Sequence, residues 1–288
     1  MLSPRLSGQL AFKLWRRPLA RGQVRPDEQS VHEAARVEIV DNVTTYAWGD
    51  GKRPVLLVHG WRSRASRFAG LVTRLLELGY SPVSYDAPAH GDSEGEVVSI
   101  LGHQRIIRAL EERHGPFDGV IAHSLGALFA LYAVREGVAA QRLVMISGVA
   151  EFGYLADAFC AQLGLGPKIN RELRRQIERR YFDSDDQIWT RFSAATGKVE
   201  LLVIHNDEDD IVDPRQAQVL LRSYGERAHF LPTTGLGHRR ILSDPAVITE
   251  AVAFLQDADV PSSVPSSVPS DVPSGVPSDV AEGLDLSA

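Results

Sequence analysis

Two hydrophobic periods alternate along this chain. Residues 37–40 and 43–46 alternate in side-chain character on either side of Asp41-Asn42, which predicts a hairpin closed by a two-residue turn. Residues 54–58 are apolar without interruption, as expected of a strand covered on both faces. The spacing then becomes helical through Phe68, Leu71, Val72, Leu75 and Leu76. Further strands are predicted at residues 82–85, 118–122, 142–146, 201–204 and 229–231, and helices over residues 100–110, after Ser124 and near 216–221. The helix after Ser124 is apolar almost all round and therefore buried. A closing helix starts at Ser243-Asp244-Pro245, where proline follows a capping residue, and ends near Leu255. Strands alternating with helices predict an α/β fold, a mainly parallel sheet with helices on both faces. In such sheets the reactive groups sit on loops at the carboxyl ends of the strands.

Three segments depart from that alternation. Residues 151–199 are too long for an ordinary connection and carry helical spacing at Leu155, Phe159 and Leu163 and again at Leu173, Ile177 and Tyr181. They are read as a helical cap inserted into a core of residues 36–150 and 200–258. Residues 1–35 form an arm whose first 25 residues carry Arg5, Lys13, Arg16, Arg17, Arg21 and Arg25 with no acid before Asp27. Leu2, Leu6, Leu10 and Leu14 recur there every fourth residue. Such a helix can lie on an anionic membrane, but the arm is expected to pack its leucines on the domain or fray in solvent. From residue 259 the composition changes to a Val-Pro-Ser-x repeat, five copies through Asp279, read as a disordered tail because proline every fourth residue bars helix and central strand.

The net charge of −6 argues against nucleic acid as a partner. A single cysteine, Cys160, excludes an internal disulfide framework and a cysteine metal cluster, and is assigned to the buried part of the cap. No apolar run approaches the roughly 18 residues of a membrane span, and no secretory signal is recognisable, so a cytoplasmic location is expected. Oligomeric state is left open.

The chemistry centres on Ala122-His123-Ser124-Leu125-Gly126, where a strand ends and a helix begins at once. A serine on so sharp a turn needs small residues two places to either side, and Ala122 and Gly126 supply them. A serine hydroxyl needs a base, and the base an orienting group. Among nine histidines, His238 in Gly235-Leu236-Gly237-His238 follows the last strand and is the preferred base, with His90 a weaker rival. Asp207, Asp209 and Asp210 all follow the strand at residues 201–204 and compete for the acid. Backbone N–H groups of Trp61, after His59-Gly60, and of Leu125 are the candidate oxyanion hole.

With these pieces assembled the sequence resembles the α/β-hydrolase superfamily over about residues 37–255, and is similar to bacterial esterase- or lysophospholipase-like members with a helical cap. The resemblance rests on Val58-His59-Gly60-Trp61, on the segment from Tyr85 and Asp86 to His90-Gly91-Asp92-Ser93, on the elbow around Ser124, on His205-Asn206-Asp207-Glu208-Asp209-Asp210-Ile211-Val212, and on Gly235 to His238. It places the acid on Asp209. Ala122 and Asn206 stand where the family often has glycine. The resemblance implies a serine hydrolase that needs no cofactor and takes a small-molecule acyl substrate. Ser124 would attack the carbonyl, His238 would carry the proton and Asp209 would orient it. Acyl transfer, thioester cleavage, carbon–carbon cleavage or non-catalytic ligand binding on the same residues are the alternatives. Arg171, Arg174, Arg175, Arg179 and Arg180, interleaved with Glu172 and Glu178, read as a solvated outer face of the cap, and Arg239 and Arg240 as partners of the acidic loop at residues 207–213.

Overall fold

The computed structural model describes residues 3–256. The repeat tail and Leu2 lie outside them. Eight strands form one sheet: β1 (Arg36–Val40), β2 (Val43–Ala47), β3 (Pro54–Val58), β4 (Ser81–Tyr85), β5 (Gly119–His123), β6 (Arg142–Ile146), β7 (Glu200–Asn206) and β8 (Ala228–Thr233). Their spatial order is β1-β2-β4-β3-β5-β6-β7-β8. The hairpin β1–β2 and its seam with β4 are antiparallel, and every pairing from β4 through β8 is parallel. Asp41 and Asn42 both take positive φ, 48° and 64°, as the two-residue turn of a right-twisted hairpin requires.

The helices are α1 (Pro4–Trp15), α2 (Gln29–Glu33), α3 (Ala69–Glu77), α4 (Ile100–His114), α5 (Leu125–Arg135), α6 (Phe152–Gln162), α7 (Pro167–Tyr181), α8 (Ile188–Arg191), α9 (Arg215–Tyr224), α10 (Gly237–Arg240) and α11 (Pro245–Gln256). The period of two divides each central strand between two cores. Leu56, Val120, Leu143 and Val203 pack with Ile106, Leu110, Leu131 and Leu220 from α4, α5 and α9. Val55, Ile121, Val144 and Ile204 pack on the opposite face with Leu71, Leu75, Val252 and Leu255 from α3 and α11. Asp244 caps α11, its Oδ1 accepting from the N–H groups of Ala246 and Val247 at 3.0 and 3.1 Å.

A third apolar cluster lies among α6, α7 and α8 and includes Phe152, Ala156, Cys160, Leu173, Ile177, Ile188 and Phe192. The third helix between β6 and β7, α8, is a single turn, too short to show a period in sequence. The amino-terminal arm belongs to this layer through Ala11 and Phe12. At Gly8 the two helices touch: a Cβ there would lie 2.3 Å from Cγ of Glu172 on α7, so only glycine permits the approach. Of the two outcomes expected for the arm, packing or fraying, α1 packs on the domain, but through other residues than its leucines. Gly8, Ala11 and Phe12 are buried, and Leu6, Leu10 and Leu14 lie on the exposed side. At the end of α1 and beyond it the arm is held by hydrogen bonds from Trp15 Nε1 to the Leu155 carbonyl, from Val98 N–H to the Arg16 carbonyl, and from Arg21 to the carbonyls of Gly91 and Ser93. Among the described residues, no helix is long and apolar enough to cross a membrane.

Candidate active site

Ser124 occupies the turn between β5 and α5 with φ 57° and ψ −126°. A non-glycine residue holds that conformation only when its surroundings enforce it. Here they do: the Ser124 N–H donates to the Ile146 carbonyl, and its own carbonyl accepts from the N–H groups of Ala127 and Val149. A Cβ at Gly126 would lie 2.4 Å from the Val58 carbonyl oxygen, which is why this side of the turn needs glycine. On the other side Ala122 is accommodated within the core beneath the elbow.

Three residues far apart in sequence meet here. His238 Nε2 lies 3.0 Å from Ser124 Oγ, and His238 Nδ1 lies 2.8 Å from Asp209 Oδ2. The remaining carboxylate oxygen of Asp209 accepts from the N–H groups of Ile211 and Val212 at 3.0 and 2.9 Å. Burial by itself would raise the Asp209 carboxyl, but the hydrogen bond and charge of His238 and the Val212 N–H outweigh it and hold the group down at about 2. Asp207 and Asp210 are exposed and take no part in this chain of contacts. His90 is buried and engaged elsewhere: its Nε2 accepts from the Arg62 N–H at 2.9 Å and its Nδ1 donates to the Pro88 carbonyl at 3.0 Å.

The carboxyl-edge loops are tied to one another by several buried polar groups outside the triad. His59 Nδ1 donates to the Gly60 carbonyl at 2.8 Å, and Nε2 accepts from the Ala87 N–H at 3.0 Å. With His90 it fastens residues 60–62 to residues 86–90 on both sides of Trp61. Asp86, fully buried, accepts from the N–H groups of Ala65 and Asp92 and from Tyr46 Oη and Arg64. His123 Nε2 donates to the backbone carbonyl of His238 at 2.9 Å, with the two rings 4.7 Å apart. Burial, assisted by the neighbouring His238, pushes His123 down to about 3, so it is a neutral donor. His205 Nε2 donates to the Val212 carbonyl at 3.0 Å and braces the acid loop. Asn206, at a family glycine position, accepts the Leu236 N–H on its amide oxygen at 3.0 Å, linking the acid loop to the histidine loop. In sequence His59 and His90 are marked by the glycine that follows each after a strand exit and by their places in the segments that resemble the family.

The N–H groups of Trp61 and Leu125 have no protein acceptor among the described residues. The side chains of Trp61, Leu125 and Tyr154 pack against the cluster containing Val98, Phe129, Val149 and Val212. Tyr154 Oη donates to the Ile211 carbonyl and accepts from the Asp213 N–H, joining cap to acid loop. Arg240 does not pair with that loop as expected; it donates to the carbonyls of Leu236 and Gly235 in its own turn. Among the described residues no group of three or more metal-ligating side chains is found.

The family model for the alpha/beta hydrolase family matches residues 55–251, and the chain belongs to that family. No curated protein matches the chain. Among solved structures it is similar to a putative lipase from Acinetobacter baumannii, at 18% identity and TM-score 0.60, covering 82% of this chain and 98% of that one. It is also similar to a monoacylglycerol lipase from Paleococcus ferrophilus, at 22% identity and TM-score 0.55, covering 74% and 97%. An esterase from a Rhodococcus species matches at 14% identity and TM-score 0.55, covering 77% and 98%. At these identities the likeness is one of fold.

Proposed function

We propose that this chain hydrolyses carboxylic esters of small or medium acyl chains through an acyl-enzyme on Ser124. The observation that carries the reading is the continuous contact from Asp209 through His238 to Ser124, at 2.8 and 3.0 Å. His238 removes the hydroxyl proton as Ser124 Oγ attacks the ester carbonyl, then returns that proton to the leaving alcohol. Water, deprotonated by the same imidazole, releases the acid and restores the serine. Asp209, ionised across the working pH range, keeps Nδ1 protonated and stabilises the imidazolium that forms. The Trp61 and Leu125 N–H groups, free of protein acceptors among the described residues, receive the oxyanion. The apolar side chains of the same two residues border the acyl moiety.

The test is hydrolysis of p-nitrophenyl acetate, butyrate and octanoate by the parent protein and Ser124→Ala, together with labelling by a fluorophosphonate. The parent is expected to turn over and to be labelled at Ser124, and the variant to lose about 10⁴-fold or more in kcat. Equal activity in both proteins overturns the nucleophile.

A further inference from the structure

The outer side of the cap layer segregates charge in a way that the sequence order conceals. On α7 the two acids turn inward: Glu172 lies against Gly8 of α1, and Glu178 Oε1 accepts from Trp189 Nε1 at 2.7 Å. Lys168, Arg171 and Arg179 remain on the exposed side with no carboxylate partner among the described residues, while Arg175 reaches back to Glu172 at 3.7 Å, so the solvated face is a basic one. Beside it α1 exposes Leu6, Leu10 and Leu14 at 50%, 49% and 45%, and Leu19 follows at 78%. Arg5 and Lys13 share the exposed surface of this helix.

Between the two helices is a cleft of ≈ 400 Å³ lined by Leu6, Leu10, Phe12, Lys13, Arg16 and Arg180. No carboxylate lies within 4 Å of its three cations among the described residues, and the buried Nε of Arg16 has no acceptor there. The overall charge of −6 does not describe this region. All six acids of residues 257–288 stand without a basic residue, so the chain's 31 basic residues face 31 acids within residues 1–256, a net charge of zero. The positive surplus of the cap face is therefore a local field on a neutral body.

We propose that α1, with the adjoining basic face of α7, docks the protein on an anionic phospholipid surface. Leu6, Leu10 and Leu14 enter the interfacial layer, and Lys13, Arg16 and Arg180 receive a lipid phosphate in the cleft. The chemistry of this surface selects the occupant: exposed leucines bring apolar surface that a nucleic-acid backbone has no use for, and unpaired cations bring charge that a purely apolar partner would leave desolvated. The inference goes beyond the hydrolytic reading and does not depend on it, because it concerns where the protein binds and not what it cleaves.

The test is co-sedimentation of the full chain with vesicles of phosphatidylcholine alone or with added phosphatidylglycerol, at low and high salt. Binding is expected only with phosphatidylglycerol and is expected to weaken with salt. Leu6→Ser/Leu10→Ser/Leu14→Ser, with its melting temperature unchanged, loses on the order of tenfold or more in partitioning. Lys13→Glu/Lys168→Glu/Arg171→Glu loses on the order of a hundredfold, from roughly fivefold per cation near an anionic surface. Ser124→Ala binds as the parent does, which separates this test from that of the hydrolytic reading. No binding to either vesicle overturns the proposal. So does salt-sensitive binding to duplex DNA that the leucine variant retains, or concentration-dependent dimerisation that the leucine variant abolishes while vesicle binding is absent.

Discussion

At the carboxyl edge of the sheet, Ser124 is held by the backbone of Ile146 and Val149, Asp209 by N–H groups of its own loop and by His238, and His238 by Asp209 and the His123 side chain. In the cap layer, α1 meets α7 through one glycine, one alanine and one phenylalanine, and leaves three leucines outside. The first region is constrained because its polar groups are buried, and a buried donor or acceptor without a partner is costly. The second is held by the packing of Gly8, Ala11 and Phe12 on α7 and by hydrogen bonds involving Trp15, Arg16 and Arg21, while its outward face exposes leucines. The difference separates a place built to hold geometry from a place built to present a surface.

Exchanging the acids would break this picture most sharply. Asp209→Asn is expected to lower ester turnover by about 10⁴, since an amide can hold the imidazole in the wrong tautomer. Asp207→Asn and Asp210→Asn, on the exposed side of the same loop, should remain within a few-fold of the parent. Comparable losses at all three positions would mean that the loop, and not one carboxylate, carries the effect.

Acid should loosen the two regions unequally. Burial lowers His59, His103 and His205, and takes His90 to about 4 and His123 to about 3. Each is a base whose folded pKa lies below its unfolded one. Below about pH 6.5 the unfolded chain takes up protons that the folded chain refuses, so their stabilisation is complete above that pH and is lost as pH falls toward 4 and below. Asp209 acts only at the acid extreme, where its contribution disappears as pH falls through about 2. Residues 151–199 contain no histidine. The melting temperature should therefore drop clearly between pH 7 and 4.5, with amide exchange rising first around the histidine-bearing loops. A flat profile would show that these imidazoles are not held neutral by the fold.

The two sides of α1 offer a further contrast. Phe12→Ala removes a buried ring from the cap cluster and is expected to cost about 3 kcal/mol, whereas Leu10→Ala should stay within about 0.5 kcal/mol. Thermal or denaturant melts decide it, and equal costs would mean that the leucines are packed after all. A smaller effect is expected at His123. His123→Phe, which removes the donor to the His238 carbonyl, should lower kcat by about tenfold with KM little changed, as for a single neutral hydrogen bond. His123→Gln, which keeps an N–H donor, should restore part of the loss.

Much of the carboxyl edge is legible in the sequence alone. The turn at Ser124 could be read because its constraints are local: small residues two places either side, a strand before and a helix after. The hairpin turn at Asp41-Asn42 and the start of α11 at Asp244-Pro245 were readable for the same reason. Resemblance to the family singled out Asp209 among three nearby acids, and the reason it differs from them is tertiary: its oxygens alone meet His238 and the N–H groups of Ile211 and Val212. The roles of His59, His90 and Asn206 were not legible, because each bonds a loop whose position depends on the strand order.

The sequence by itself determined the alternation of strands and helices, the serine turn and the existence of a helical insertion, since side-chain period and steric demand act over a few residues. Only the tertiary structure decided the order of the strands, the inward turn of Glu172 and Glu178, and the outward turn of Leu6, Leu10 and Leu14. A leucine every fourth residue guarantees a stripe on one side of a helix. Which side of α1 is buried was settled by Gly8, where the absence of a Cβ lets α7 approach closely.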